Sequence, residues 1–146
     1  GQKTHVIRNR TKELNMVLIP AVHSGTGGKQ PYHLKQVLAM VYDGQDASSE
    51  KSLNIALSQA TKNSYQLFVI VDSQPSKQHV ERLISRHGEH AIYQLADFSN
   101  TDEILLLLQQ HSPRLIVLSE NDRILKNERV LQQMINTLES DILLVR

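Results

Sequence analysis

Short apolar runs alternate with amphipathic segments of helical length from residue 36 onward, and this alternation constrains the fold more than any other feature of the chain. Five runs have the leucine-rich and β-branched composition of strands buried on both faces, and they cover residues 36–42, 66–71, 91–95, 114–118 and 142–145. The segments between them carry apolar residues three and four positions apart, which is the spacing of one helical face. Strict alternation favours right-handed crossovers, so we predict an α/β fold with an open five-stranded parallel sheet and helices on both faces.

The N-terminal part of the chain does not follow this pattern. Residues 1–12 contain four basic side chains and no acidic one. The apolar run 16–19 ends at Pro20, and because proline is tolerated at the edge of a sheet, this run predicts an additional edge strand. We therefore divide the chain into an N-terminal lead or linker, residues 1–33, and an α/β domain, residues 34–146.

Composition and spacing exclude several classes of function. The chain has no cysteine, so disulfides, thiolate metal sites and thiol catalysis are ruled out. Its apolar stretches are much shorter than the roughly 18–20 residues that cross a bilayer. The glycine-rich residues 24–30 lack the spacing of a P-loop. Aromatic residues are not interleaved with basic ones, so we expect no nucleic-acid partner.

Two stretches carry a resemblance to a known family. Residues 36–60, QVLAMVYDGQDASSEKSLNIALSQA, resemble the opening strand, turn and helix of a universal stress protein domain. Residues 114–146, RLIVLSENDRILKNERVLQQMINTLESDILLVR, resemble its closing strand, helix and strand. The resemblance spans about residues 34–146 and implies the strand order 3-2-1-4-5 of the adenine nucleotide alpha hydrolase-like fold.

The resemblance also implies a homodimer. In many members of the family the last strand pairs antiparallel with its copy in a second chain. The corresponding strand here has an edge that would otherwise be open to uncontrolled pairing. The dimer interface predicted in this way consists of Ile142, Leu143, Leu144 and Val145.

The chain departs from the family at the phosphate-binding loop. Nucleotide-binding members carry G-x2-G-x9-G-[ST] after the fourth strand, and the corresponding positions here are Ser119, Asp122, Gln132 and Gln133. Aligning from the last strand instead places the final pair at Glu128 and Arg129, again without a glycine. Phosphate-cradling loops use glycine because the backbone must come close to the ligand and take positive φ. The resemblance then implies no nucleotide cofactor, and it leaves Asp43, which matches the family aspartate that reaches adenine, with Gly44, Ser119 and Asn121 as the only candidates for binding one.

Acidic residues follow the predicted strands, at the end of the sheet where ligands of such folds bind. They are Asp43, Asp72, Asp97 and Glu120. Like charges a few ångströms apart in a partly dry cleft repel by about 1 to 4 kcal/mol per pair. These carboxylates would therefore repel the negative charges of a bound triphosphate. Two interpretations remain open: Asp43, Asp72 and Glu120 hold a hard metal ion or another cation, or these side chains only cap loops and helices.

Together these features predict a non-catalytic regulatory and dimerisation domain of the universal stress protein type. The basic lead suits a connection next to a membrane on its cytoplasmic side, which indicates the cytoplasmic domain of a membrane transporter, tethered at the inner membrane. An ordinary solvated tail explains the same lead equally well. The alternative function is a freestanding universal stress protein that binds or hydrolyses a nucleotide through a non-standard loop.

Overall fold

The computed structural model describes residues 7–8, 16–21, 35–44 and 47–146. Seven strands form one sheet: β1 Ile7–Arg8, β2 Met16–Ile19, β3 Val37–Tyr42, β4 Gln66–Val71, β5 Ala91–Leu95, β6 Leu115–Ser119 and β7 Asp141–Val145. Four helices connect the parallel strands: α1 Ala47–Asn63, α2 Gln74–Arg86, α3 Thr101–His111 and α4 Glu128–Thr137. A 3₁₀ turn, Arg123–Lys126, lies between β6 and α4. Within these described ranges no helix is both long and apolar enough to span a membrane.

The strand order in the sheet is β1-β2-β7-β6-β3-β4-β5. The strands from β3 onward pair in parallel, as the alternating pattern predicts. However, β2 pairs antiparallel with β7, and β1 pairs antiparallel with β2. The prediction of an open, five-stranded, wholly parallel sheet is therefore wrong in its strand number and at its edge, because the apolar run of the N-terminal lead extends the sheet beyond β7.

Helices cover the sheet on both faces and produce two hydrophobic cores. On one face α1 and α2 pack against side chains such as Leu38, Met40 and Val69. On the other face α3 and α4 pack against Ala39, Val41 and their neighbours. Alternate residues of one strand point to opposite faces, so a strand buried on both sides must be apolar throughout. This requirement explains why β3, β4 and β6 are continuous apolar runs.

Local capping fixes where the helices begin, and this in turn sets the loops at the carboxyl end of the sheet. The Ser73 hydroxyl accepts a hydrogen bond from the backbone N–H of Ser76 and caps α2, whose first turn contains a proline. The Asn100 side chain accepts from the N–H of Glu103 and caps α3. The loop between β4 and α2 therefore consists of only Asp72 and Ser73, which keeps Asp72 at the carboxyl end of the sheet.

Candidate functional site

The candidate site lies at the carboxyl ends of β3, β4 and β6. This is the switch point of the sheet, because β4 is added on one side of β3 and β6 on the other. Asp43 follows β3, and Asp72 follows β4. These strands are neighbours in the sheet, so the two carboxylates share one rim, as predicted. The Asp43 side chain is 2% exposed and the Asp72 side chain is 22% exposed, so both charges require partners.

Arg123, from the 3₁₀ turn after β6, supplies those partners. Its guanidinium Nε donates to Asp43 Oδ1 at 2.7 Å, and its Nη2 donates to Asp72 Oδ2 at 2.6 Å. Its backbone N–H donates to Asp43 Oδ2 at 2.7 Å. The guanidinium carbon lies 5.2 Å from the centre of the Phe98 ring, within cation–π range. Both oxygens of Asp43 are thus engaged by one residue, in the short, charge-assisted geometry that makes such bonds strong.

The two interpretations of the acidic rim differ in what neutralises its carboxylates. Between Asp43 and Asp72 lies a cationic group of the protein itself, the guanidinium of Arg123. Glu120, the third predicted metal ligand, is exposed and pairs instead with Arg146 at 3.4 Å. Across the described ranges, no group of three or more histidine and acidic side chains could hold a metal. The structure therefore brings together only two of the three predicted metal ligands.

The backbone N–H groups at the end of β6 and in the turn that follows are already hydrogen-bonded within the protein. Five consecutive N–H groups, those of residues 119–123, each donate to an acceptor within the protein. The acceptors are Asp122 Oδ2 for Ser119 at 2.9 Å, Val145 O for Glu120 at 2.8 Å, Ser119 Oγ for Asn121 at 3.2 Å, Ser119 O for Asp122 at 3.0 Å and Asp43 Oδ2 for Arg123 at 2.7 Å. A phosphate bound by these amides would have to replace bonds that already exist.

The other candidate nucleotide contacts have structural roles. Gly44 takes φ +76°, and its N–H donates to Ser49 Oγ at 3.0 Å. A Cβ at this position would lie 3.3 Å from the Tyr42 ring, so the turn itself requires glycine. The Ser119 hydroxyl donates to Ser48 Oγ at 2.8 Å and joins the end of β6 to α1. The geometry around these residues is explained without a ligand.

The pairing shifts two pKa values in opposite directions. Partial burial acts to raise the pKa of Asp72, but hydrogen bonding from Arg123 and from the nearby Ser76 and Ser73 outweighs it, so the pKa lies below its ordinary value. The hydrogen bond to Asp72 raises the pKa of Arg123 and, together with the bond to Asp43, outweighs partial burial, which acts to lower it. Both shifts favour the charged forms of the pair.

The lowered pKa of Asp72 predicts a pH-dependent contribution to stability. Above the unfolded pKa of about 3.9 the carboxylate is charged in both states and the contribution is complete. As pH falls toward the lower folded pKa, the unfolded state binds the proton first and the contribution is lost. We expect the difference in unfolding free energy between the wild type and Asp72→Asn to be smaller at about pH 3 than at about pH 7. Urea titrations at both pH values measure it, and an equal difference would contradict the assignment.

Sequence reasoning missed Arg123 and Phe98. Such reasoning treats the acidic residues that follow the strands as a barrier to phosphate, but it does not place Arg123, the one basic residue of the 119–123 turn, near them. The available signal was the proximity of Arg123 in sequence to the end of β6, the strand next to β3. A long cationic side chain at this position can reach carboxylates across the switch point.

The fold and the site together define an α/β domain whose ligand-binding end is filled by its own arginine. No family model and no curated protein matches the chain. Solved structures of universal stress proteins share its fold. A universal stress protein from Archaeoglobus fulgidus is 12% identical with a TM-score of 0.60, covering 77% of this chain and 95% of that one. The complex of the Archaeoglobus fulgidus protein with dAMP is 12% identical with a TM-score of 0.56, covering 77% and 98%. A universal stress protein in complex with cAMP is 15% identical with a TM-score of 0.57, covering 76% and 96%. These likenesses establish a universal stress protein-like fold, as the two sequence stretches predict.

Proposed function

We propose that the chain is a non-catalytic regulatory domain with a universal stress protein-like fold, and that it does not bind adenine nucleotides at the switch point of its sheet. The engagement of both Asp43 oxygens by Arg123 carries this proposal. The hydrogen-bonded turn at residues 119–123 supports it, because its amides are not free to bind phosphate. Among the described residues of the site, the two carboxylates that could act as bases, Asp43 and Asp72, both form ion pairs with Arg123.

The energetic argument concerns displacement of Arg123. Two of the fold neighbours are described as complexes with dAMP and cAMP. For this chain to bind such a ligand through Asp43, the charge-assisted bonds from Arg123 must first break. Two such bonds reach Asp43, and at about 1.5 kcal/mol each, the lower end of the range for bonds to charged groups, releasing both costs about 3 kcal/mol. Since about 1.4 kcal/mol is a tenfold change in affinity, micromolar binding would weaken by roughly 150-fold.

Isothermal titration calorimetry tests this proposal. We expect flat heats when ATP with Mg²⁺, dAMP or cAMP is titrated into the protein. Micromolar affinity for any of the three would overturn the non-binding proposal. It would favour the alternative, a freestanding universal stress protein that binds a nucleotide through a non-standard loop. The dAMP and cAMP of the neighbours are the observation that makes this alternative worth testing.

Attachment to a membrane transporter on its cytoplasmic side, as a tethered regulatory domain, is the second part of the proposal. Its support is the basic composition of residues 1–12, which is typical of segments next to the cytoplasmic surface of a membrane. The full gene product provides the test. We expect it to encode apolar segments of about 20 residues upstream of Gly1, long enough to cross a bilayer. Their absence from the full gene product would remove this part and leave the nucleotide question unchanged.

A further inference from the structure

The two outer sides of the parallel part of the sheet differ. At β7, the strand β2 pairs antiparallel over four residues, from Met16 opposite Val145 to Ile19 opposite Ile142. The edge that the dimer prediction takes to be open, Ile142 to Val145, is therefore covered within the chain. At the other side β5 is the last strand of the sheet, and among the described residues it pairs only with β4.

Half of the backbone groups of β5 point to this open side. The N–H of Ala96 donates to the carbonyl of Val71 on β4 at 2.9 Å. Because the backbone groups of successive strand residues alternate in direction, those of every second residue before Ala96 point away from β4, namely Ala91, Tyr93 and Leu95. The carbonyl of Leu95 accepts from the exposed side-chain amide of its neighbour Gln94 at 3.1 Å. This edge offers donors and acceptors in the pattern to which an additional strand binds.

The side chains of β5 do not block such pairing. Sheet edges are commonly protected by charged residues, proline or a bulge, whereas β5 has the sequence AIYQL. Ile92 is 51% exposed and lies opposite Phe68 of β4, whose ring stacks on that of His111 at 3.8 Å. Opposite residues of neighbouring strands share one face of the sheet. An added strand could therefore bury Ile92 with an apolar side chain on this face.

The charges around β5 are acidic. Residues 89–97 contain Glu89 and Asp97 and neither lysine nor arginine. Burial raises the pKa of Tyr93 to about 12, and the negative charge of Glu81 on α2 adds to this shift, so a third carboxylate lies near the strand. An extended segment with basic residues at its ends is complementary to this distribution of charge.

A second copy of β5 does not suit the same edge. Two antiparallel β5 strands related by a two-fold axis use all of their outward-facing residues only when the axis passes through Tyr93, with Ala91 opposite Leu95. This register brings Glu89 of one copy opposite Asp97 of the other, at both ends of the pair. Like charges directly opposite each other in paired strands are destabilising. The charges therefore favour a different, basic chain.

We propose that the edge of β5 is a docking site for an extended peptide segment of a partner protein, which adds to the sheet as a further strand. The segment is apolar where it contacts Ile92 and carries lysine or arginine at its ends. Main-chain hydrogen bonds to β5 supply affinity, and the acidic residues at the two ends of β5 select the basic partner. This inference rests on β5 and does not depend on whether a nucleotide binds near Arg123.

Fluorescence anisotropy with labelled peptides tests the choice of partner. The probe is KKVTVTVKK, and its acidic counterpart is EEVTVTVEE. We expect saturable binding of the basic peptide that is at least about tenfold tighter than that of the acidic one, with the difference reduced at high salt. Ile92→Lys should weaken binding of the basic peptide by about tenfold or more. The matched control is Leu106→Lys, which adds the same charge at a residue of α3 that is 53% exposed and should leave binding unchanged.

Amide hydrogen exchange tests the mode of binding. We expect the basic peptide to slow exchange at Ala91, Tyr93 and Leu95 and to leave Ile92 and Gln94 unchanged, because the amides of these two already face β4. Equal affinity for the two peptides, no saturation by about 1 mM, or binding without slower exchange at the outward-facing amides would overturn the proposal. A wild-type dimer that Ile92→Lys converts to a folded monomer would also overturn it, since the edge would then belong to a second copy.

Discussion

Substituting alanine for Arg123 is expected to lower the free energy of unfolding by about 3 kcal/mol. The substitution leaves the carboxylate of Asp43, which is 2% exposed, without its side-chain donor, and it leaves Asp72 beside a second uncompensated charge. Removing one partner of a buried ion pair costs about 3 to 5 kcal/mol. The Arg123 side chain is itself 37% exposed, so the lower end of that range applies. The backbone N–H of residue 123 continues to donate to Asp43, which also limits the loss.

Two further variants separate the forked geometry from the charge. Arg123→Lys keeps the positive charge but cannot donate to Asp43 and Asp72 from one planar group, so we expect it to lose about half as much stability. Lys126→Ala removes an exposed positive charge from the same 3₁₀ turn and should change stability by less than about 0.5 kcal/mol. Urea denaturation with an unchanged m-value measures all three variants. If Arg123→Ala costs no more than Lys126→Ala, Arg123 does not stabilise the site.

The regular part of the fold could be predicted from the sequence because its signals are local. A continuous apolar run predicts a strand covered on both faces, and four amphipathic segments between such runs predict the crossovers. The run 16–19 was predicted as an edge strand from its composition and Pro20; it does form a strand, β2, but β2 lies between β1 and β7 and not at the edge of the sheet. Its pairing with β7, more than 120 residues away in sequence, could not be predicted, since no local pattern specifies which of two apolar edges a strand joins.

The candidate site was predictable only in part, for a related reason. Strand ends are fixed by the sheet, so the approach of Asp43 and Asp72 followed from the predicted strand order. The direction of a side chain in an irregular turn depends on its backbone geometry, which composition does not give. The 3₁₀ turn directs Arg123 toward these carboxylates, whereas Glu120 pairs with Arg146. The number of acidic residues at the strand ends is therefore a poor guide to the net charge of the site when a basic residue of a neighbouring turn can reach them.

Ile142→Asp should unfold the domain, and this is the largest effect that we expect. Ile142 is 1% exposed and packs in the core under α3 and α4, so its side chain has no route to water. The substitution loses about 1.5 to 3 kcal/mol of apolar burial and buries a carboxyl group without a partner. The two losses together amount to about 4 to 10 kcal/mol, which is comparable with the whole stability of a domain of this size, typically 5 to 15 kcal/mol.

Leu144→Asp is the matched control, because it lies on the same strand and packs at the margin of the same core. Leu144 is only partly buried, so its carboxylate can remain hydrated and we expect a loss of about 1 to 2 kcal/mol with the fold intact. Far-UV circular dichroism and light scattering on both variants decide the outcome. If β7 formed a dimer interface instead, Ile142→Asp would be a folded monomer derived from a dimeric wild type. That result would mean that β2 does not occupy the edge of β7 in solution.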